Sequence, residues 1–306
     1  MHRVLKASTM GSQLSEGKWV LCPATIKDVA TIQRSRARLS RRGAAKNGRQ
    51  SRSRIFRSGH AYGEIRALLA EVQRKGMCLD LPAGRGVNLP GIRDAGFEPV
   101  AADLYPEDAK TRGVWTVKTD FNSPLPFADG SFAAVLCSEG IEHHPAQARL
   151  LQEFARVLQP AGALLITTPN VLNLRARFST MLNGHYSFKR APVSEVTGIW
   201  KSGGHRPYVG HVHMLGYFEL RFILMQAGFV LTEVTTAKYA ISSIMLAPFL
   251  WLPVRIATTR LFRRYLRGHP EIYREICAHA LSPVLLFGKK LIVLAQKAAT
   301  TGDASS

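Results

Sequence analysis

Acidic residues are scarce in this chain of 306: 21 Asp and Glu against 41 Lys and Arg give a formal net charge of +20. From Arg34 to Arg57 there is no carboxylate at all. That stretch also lacks an apolar face able to offset ordering entropy, so residues 1–58 are expected to form a basic, disordered extension and 299–306 a disordered tail. The charge at 34–57 would attract nucleic acid or anionic lipid. Phe56, however, is the one aromatic between Trp19 and Tyr62, which leaves out the stacking groups of a single-strand binder. Cysteine is sparse too. Cys22, Cys78, Cys137 and Cys277 show no metal-ligand spacing and read as reduced core thiols rather than a disulfide framework or zinc site. Long apolar runs are missing: none follows the charged start as in a secretory signal, and none approaches a membrane span. The expectation is a cytoplasmic protein.

What is present suffices for a core, since 46% hydrophobic residues over this length can fill one α/β domain, placed at 59–298, with additions. Met77 to Leu89, followed by Glu98 to Asp103, reads as strand, glycine turn, helix, strand and acidic tip. Leu79 and Leu81 mark a buried strand. Gly84 and Gly86 let the backbone turn sharply and pass close to a ligand facing helix N-terminal amides. Asp103, at the end of the next strand, can accept hydrogen bonds from both hydroxyls of a ribose. A nicotinamide fingerprint would need a third glycine where Leu89 stands, which weakens a dinucleotide reading.

Amphipathic helices are expected at Ala61 to Arg74, Gln147 to Leu158 and Tyr217 to Ala227, the last closed by Gly228. Further strands are readable at Val100 to Asp103, Trp115 to Lys118, Ala133 to Cys137, Leu164 to Thr168, Val230 to Val234 and Leu291 to Ala295. Alternating strands and helices imply a doubly wound, mostly parallel sheet.

With Thr119 to Pro145 and Leu158 to Asn170 in place, residues 76 to 236 resemble the class I S-adenosylmethionine-dependent methyltransferases, in particular the type 11 and type 23 groups. The resemblance implies a seven-stranded Rossmann-like sheet, with Lys289 to Lys297 as its last, antiparallel strand, and S-adenosyl-L-methionine as cofactor. It also implies that Asp80, Pro82, Ala83, Gly84 and Gly86 surround the methionine part and that Asp103 holds the ribose. Leu104 would pack on the adenine, Asp120 would meet its amino group with Phe121 beside the ring, and Ser138, Glu139 and Gly140 would line the sulfonium end. Three departures from the pattern are Pro82-Ala83 for a usual Gly-Cys or Gly-Ser, Ala133 for an aspartate, and Ala161 for the first glycine of a Pro-Gly-Gly.

Two long segments, 171–214 and 239–288, follow strands ending at the cofactor face and are expected to form a substrate lid. The second carries Ile244 to Val254, proline-broken and too short to span a bilayer, followed by Arg255, Arg260, Arg263, Arg264 and Arg267. That composition suits a segment at an anionic membrane interface, which would make the protein peripheral on the inner face of the membrane, or else a lid helix packed on the domain or a dimer contact. His143, just before the helix at Pro145, is the first candidate base. His205 in a flexible lid segment, Ser202 to Tyr208, is another, and Glu142 would orient a histidine or a helix terminus. His211 and His213 alternate as a metal pair might, but no acid or cysteine sits close by in sequence, so no metal is expected. The function expected is methyl transfer to an oxygen of a small molecule, saccharide or lipid-linked acceptor. Alternatives are an RNA or other nucleic-acid methyltransferase, and a membrane-associated scaffold with a degenerate cofactor site.

Overall fold

The computed structural model describes residues 61–298 except 110, 112, 203–205 and 266–267, with side chains at 200–209 left aside. The basic segment 34–57, the rest of 1–58, the tail 299–306 and His205 lie outside the described residues.

Seven strands form one sheet: β1 (Met77–Asp80), β2 (Glu98–Asp103), β3 (Trp115–Lys118), β4 (Phe132–Ser138), β5 (Leu158–Pro169), β8 (Phe229–Thr235) and β9 (Lys290–Lys297), in spatial order β3-β2-β1-β4-β5-β9-β8. β1 to β5 pair in parallel, and β9 runs antiparallel between β5 and β8, as expected. The central strand β4 is buried along nearly its whole length, which is why it reads as a continuous apolar run rather than an alternating one. β5 starts earlier than expected because Leu158 already pairs with Phe132, so the buried Leu158 belongs to the strand and not to the preceding helix.

Helices cover both faces. On one, α1 (Ala61–Glu71) and α2 (Leu89–Asp94) set Ile65, Leu68, Leu69 and Ile92 against Cys78, Ala101, Leu136 and Leu165. On the other, α3 (Gln147–Val157) and α5 (Tyr217–Gln226) cover Leu79, Val135, Leu164 and Val293. The α3 stripe of Leu150, Leu151, Phe154 and Val157 is fully buried, each side chain contributing roughly 1.5–3 kcal/mol. α1 stops at Glu71, three residues short of the expected Arg74.

The first long segment holds α4 (Leu174–Asn183) and a two-stranded antiparallel ladder, β6 (Ile199–Ser202) and β7 (Arg206–Val209). Of the stretch Ser202 to Tyr208 expected to be flexible, the described residues, 202 and 206–208, are strand. The second holds α6 (Ile241–Met245), α7 (Ala247–Tyr265), α8 (Pro270–Ala280) and α9 (Pro283–Phe287). The segment expected to be proline-broken is interrupted at Leu246, between α6 and α7 and just before Pro248, but not at Pro253, which α7 runs through as one helix of 19 residues. Proline's fixed φ is helical, so what is lost is one backbone N–H together with some room for the ring. Among the described residues no helix is long and apolar enough to cross a membrane.

A pair of buried asparagines ties these segments to the sheet. Asn170, just after β5, donates to the carbonyls of Leu285 and Gly288 at 3.0 Å, and Asn173 donates to those of Asn170 at 2.7 Å and Gly288 at 3.1 Å. Asn173 also caps α4 by accepting from the Ala176 N–H.

Candidate functional site

The carboxyl ends of β1, β2 and β4 open at one edge of the sheet. Asp80, the last residue of β1, is completely buried, and neither carboxylate oxygen has a hydrogen-bond partner among the described residues. Burial first, then the Asp103 carboxylate, push its pKa up to about 8, with Asn88 offsetting part of the rise. A buried carboxylate so placed is costly unless a cation or donors meet it.

Asp103 ties its own strand tip to the glycine turn: Oδ2 accepts from the Gly84 N–H at 2.8 Å and Oδ1 from the Tyr105 N–H at 2.9 Å. A carboxylate retains further lone pairs, so hydroxyl donors can still be accepted. The two glycines of the turn differ in what they require. At Gly86 (φ +75°) a Cβ would lie 2.8 Å from Leu89 Cδ1 and 2.9 Å from Thr111 Oγ1, whereas at Gly84 (φ +53°) it would meet nothing within 4 Å. Gly86 is dictated by packing; Gly84 borders open space. Ala83 is anchored by its N–H to the Ala102 carbonyl at 3.0 Å, and the Pro82 ring lies against Gly140.

Leu104 follows Asp103, half-buried. Asp120 uses Oδ1 to accept from the backbone and side chain of Asn122, at 2.9 and 2.8 Å, closing a local turn. Phe121 beside it stacks on His144 at 5.5 Å between ring centroids. His144 Nε2 bonds the Phe121 carbonyl at 2.6 Å while Nδ1 accepts from the Ala146 N–H at 2.9 Å, which fixes a neutral tautomer, and burial holds its pKa below the ordinary histidine value. His144 thus positions Phe121 and the start of α3.

Past β4, Ser138 Oγ and Thr167 Oγ1 lie 3.2 Å apart. Glu139, in the left-handed region at φ +54°, accepts from Thr167 Oγ1 at 3.0 Å and pairs with Lys290 Nζ at 3.1 Å. Lys290 carried no signal in the sequence; antiparallel pairing sets it opposite Pro169 at the end of β5.

Glu142, in the 3-10 turn Ile141–His143, is completely buried. Its Oε2 accepts from Thr168 Oγ1 at 3.2 Å; Oε1 has no hydrogen-bond partner among the described residues and lies 4.0 Å from His211 Nδ1. Burial, then Glu139, raise the Glu142 carboxyl to about 7. Burial, then Arg190, lower His211 to about 4, so it is neutral at physiological pH. His143 Nδ1 bonds the Gly210 carbonyl at 3.0 Å, so in the neutral ring the lone pair sits on Nε2, and its ring packs edge-on to His211 at 4.8 Å. Glu142, His143 and His211 bring ligand-type atoms within 4.8 Å of one another. The sequence argument against a metal was that no acid sits near His211. Folding supplies one, although what it assembles serves proton transfer equally well. His213 has a separate task, its N–H donating to the Glu142 carbonyl at 3.0 Å and its carbonyl accepting from Gln147 at 2.6 Å. Beyond His211 lies a cavity of about 490 Å³ lined by His185, Tyr186, Lys189, Arg190 and Val196 among others.

A family model described as a methyltransferase domain, Methyltransf_23, matches residues 53–234, more than half of the chain. The protein belongs to this family, within the class I S-adenosylmethionine-dependent methyltransferases, and its cofactor is S-adenosyl-L-methionine. Similar curated proteins include a demethylmenaquinone methyltransferase of Beutenbergia cavernae, 34% identical over 92 residues that make up 29% of this chain and 38% of that protein. A ubiquinone biosynthesis O-methyltransferase of Shewanella pealeana is 31% identical over 110 residues, 35% of this chain and 45% of that protein. The chain spans less than half the length of either relative. Among solved structures, the 1,6-didemethyltoxoflavin-N1-methyltransferase of Burkholderia thailandensis is similar at 16% identity and a TM-score of 0.43, covering 94% of this chain and 93% of that one.

Proposed function

We propose that the protein methylates an oxygen of a lipophilic small molecule, a lipid-linked acceptor being the finer reading, with Glu142 as the base. The observation that carries this is the Glu142 carboxyl itself, buried just past β4, raised to about 7 and facing a neutral His211. The relatives named for quinone biosynthesis support a lipophilic acceptor.

The pocket fits the cofactor on two observations: Asp80 is a buried carboxylate to which only the Asn88 side chain gives some stabilisation among the described residues, and Gly84 opens onto space. In this reading Asp80 meets the ammonium of the methionine part, and the backbone of Pro82 to Gly86 lines it. Asp103 accepts from the ribose hydroxyls, Leu104, Asp120 and Phe121 enclose the adenine, and Ser138, Glu139 and Gly140 border the sulfonium end. Bound there, S-adenosylmethionine would supply an electrophilic methyl group, its sulfonium sulfur departing as a neutral thioether. The chain's contribution is alignment, which can remove roughly 7 kcal/mol or more of barrier, and proton removal. Glu142 would take the proton of the acceptor hydroxyl, and His143, whose Nδ1 is held by the Gly210 carbonyl, would be a second proton acceptor. Segments 171–214 and 239–288 act as the lid over the acceptor.

The test is calorimetric titration of the full chain with S-adenosylmethionine, S-adenosylhomocysteine and NAD, for wild type and Asp103→Ala, followed by methyl incorporation into catechol, hydroquinone, saccharide and RNA acceptors. Binding of the two sulfur compounds, weakened by the substitution, with methylation of phenolic hydroxyls, is expected. Methylation of RNA alone, or no binding by folded wild type, would overturn the reading.

A further inference from the structure

Many apolar side chains of α6 and α7 are left exposed by the rest of the fold. Among the described residues of α7 none is buried; Phe249 is 76% and Leu252 55% exposed, and Met245 of α6 is 70% exposed. Apolar surface of this extent on one helix pair marks an interaction site rather than scattered exposure. The second half of α7 is cationic, with Arg255, Arg260, Arg263 and Arg264, and between Glu233 and Glu271 the sequence has no acidic residue. The Arg255 guanidinium sits 5.2 Å over the Trp251 ring, at the junction of the apolar and cationic halves. An apolar half followed by a cationic half on one helix is complementary to an anionic surface with an apolar interior, and a charged amphipathic helix of this kind lies in a bilayer interface rather than across it.

The patch is also fixed relative to the reaction centre. Ser243 of α6 is buried, donates to Asn173 Oδ1 at 3.1 Å and accepts from the Arg175 N–H at 3.2 Å. Asn173 is in turn bonded to Asn170 at the end of β5. Whatever seats α6 and α7 therefore orients the cofactor end of the sheet.

We propose that α6 and the apolar half of α7 insert at headgroup depth into an anionic phospholipid bilayer, with the arginines of the second half on lipid phosphates. This rests on the reading of a lipid-borne acceptor, and it is tested without cofactor or acceptor so that its failure leaves methyl transfer untouched.

The experiment is co-sedimentation of the full chain with vesicles of phosphatidylcholine alone and of an equimolar mixture with phosphatidylglycerol, together with tryptophan quenching by lipids brominated near the headgroup. Binding to the anionic vesicles is expected, weakened roughly thirtyfold by Arg260→Gln with Arg264→Gln, at about fivefold per charge, and weakened further by Phe249→Ser with Leu252→Ser. These side chains are exposed, and circular dichroism checks that both variants keep the fold. Bromolipid quenching should fall in Trp251→Phe. Binding unchanged in both double variants, or quenching unchanged in Trp251→Phe, would assign the membrane affinity to residues 1–58 and overturn the proposal. So would absence of vesicle binding combined with a dimer that Phe249→Ser dissociates, which would make a second copy the occupant.

Discussion

A Cβ on Gly140 would lie 2.2 Å from Pro82 Cδ, so these two residues, one after β1 and one after β4, occupy each other's side-chain space. Where the family pattern has glycine at position 82, this chain has a ring, and Gly140 leaves room for it. Gly140→Ala should destabilise the protein by about 1–3 kcal/mol through overpacking and weaken cofactor binding. Adding Pro82→Gly should recover most of both losses. Thermal melts and cofactor titration of the two variants check this, and a double variant no better than the single one would show that the ring is not the obstacle.

The buried Asp80 predicts how stability depends on pH. Its folded pKa of about 8 exceeds the ordinary carboxylate value of 3.8, so the folded chain keeps a proton that the unfolded chain gives up. The associated stability is present below about pH 4 and lost as pH rises to about 8. Glu142, raised from 4.5 to about 7, adds a slope of the same sign. Asp80→Asn should therefore flatten, without abolishing, a fall in melting temperature between pH 5 and pH 8 in the cofactor-free protein. With cofactor the sign reverses: affinity should rise with pH up to about 8 in wild type and stay level in the variant.

Glu142→Gln should lower kcat about 10²- to 10⁴-fold while leaving cofactor affinity nearly unchanged. The wild-type rate should climb through pH 7 as the carboxyl ionises, and that limb should vanish in the variant. Activity should persist in EDTA. A rate lost to EDTA and restored by a divalent cation would instead make Glu142, His143 and His211 metal ligands.

Ala161 stands in the left-handed region at φ +59°, where the family pattern has glycine. An L-residue there costs about 1–2 kcal/mol, while glycine adds unfolded-state entropy of about 0.4–1 kcal/mol. Ala161→Gly should thus stabilise the protein by roughly 0.5–1 kcal/mol, read as a higher urea midpoint.

The sheet was largely legible because its central strands are buried on both faces and announce themselves locally as short apolar runs. β3 and the start of α3 fall where hydrophobic periodicity and Pro145 put them. The glycine turn was legible for the same reason, its chemistry lying in a few consecutive residues. The reaction centre was less so. Glu142 reaches His211 across a lid whose path no periodicity encodes, and Lys290 reaches Glu139 only through the register of β9 on β5. Pro253 misled for another reason: a local breaker was outweighed by the long helix around it.

Because β9 sits between β5 and β8 yet follows both in the chain, synthesis leaves a gap in the sheet until residues 290–297 emerge. A nascent chain carrying the glycine turn, Asp103 and Glu142 still presents unpaired edges of β5 and β8, the kind of surface on which chains aggregate. The counter-charge of Glu139 arrives on that same final strand. Completion of the sheet and charge balance at the reaction end thus come with one and the same strand.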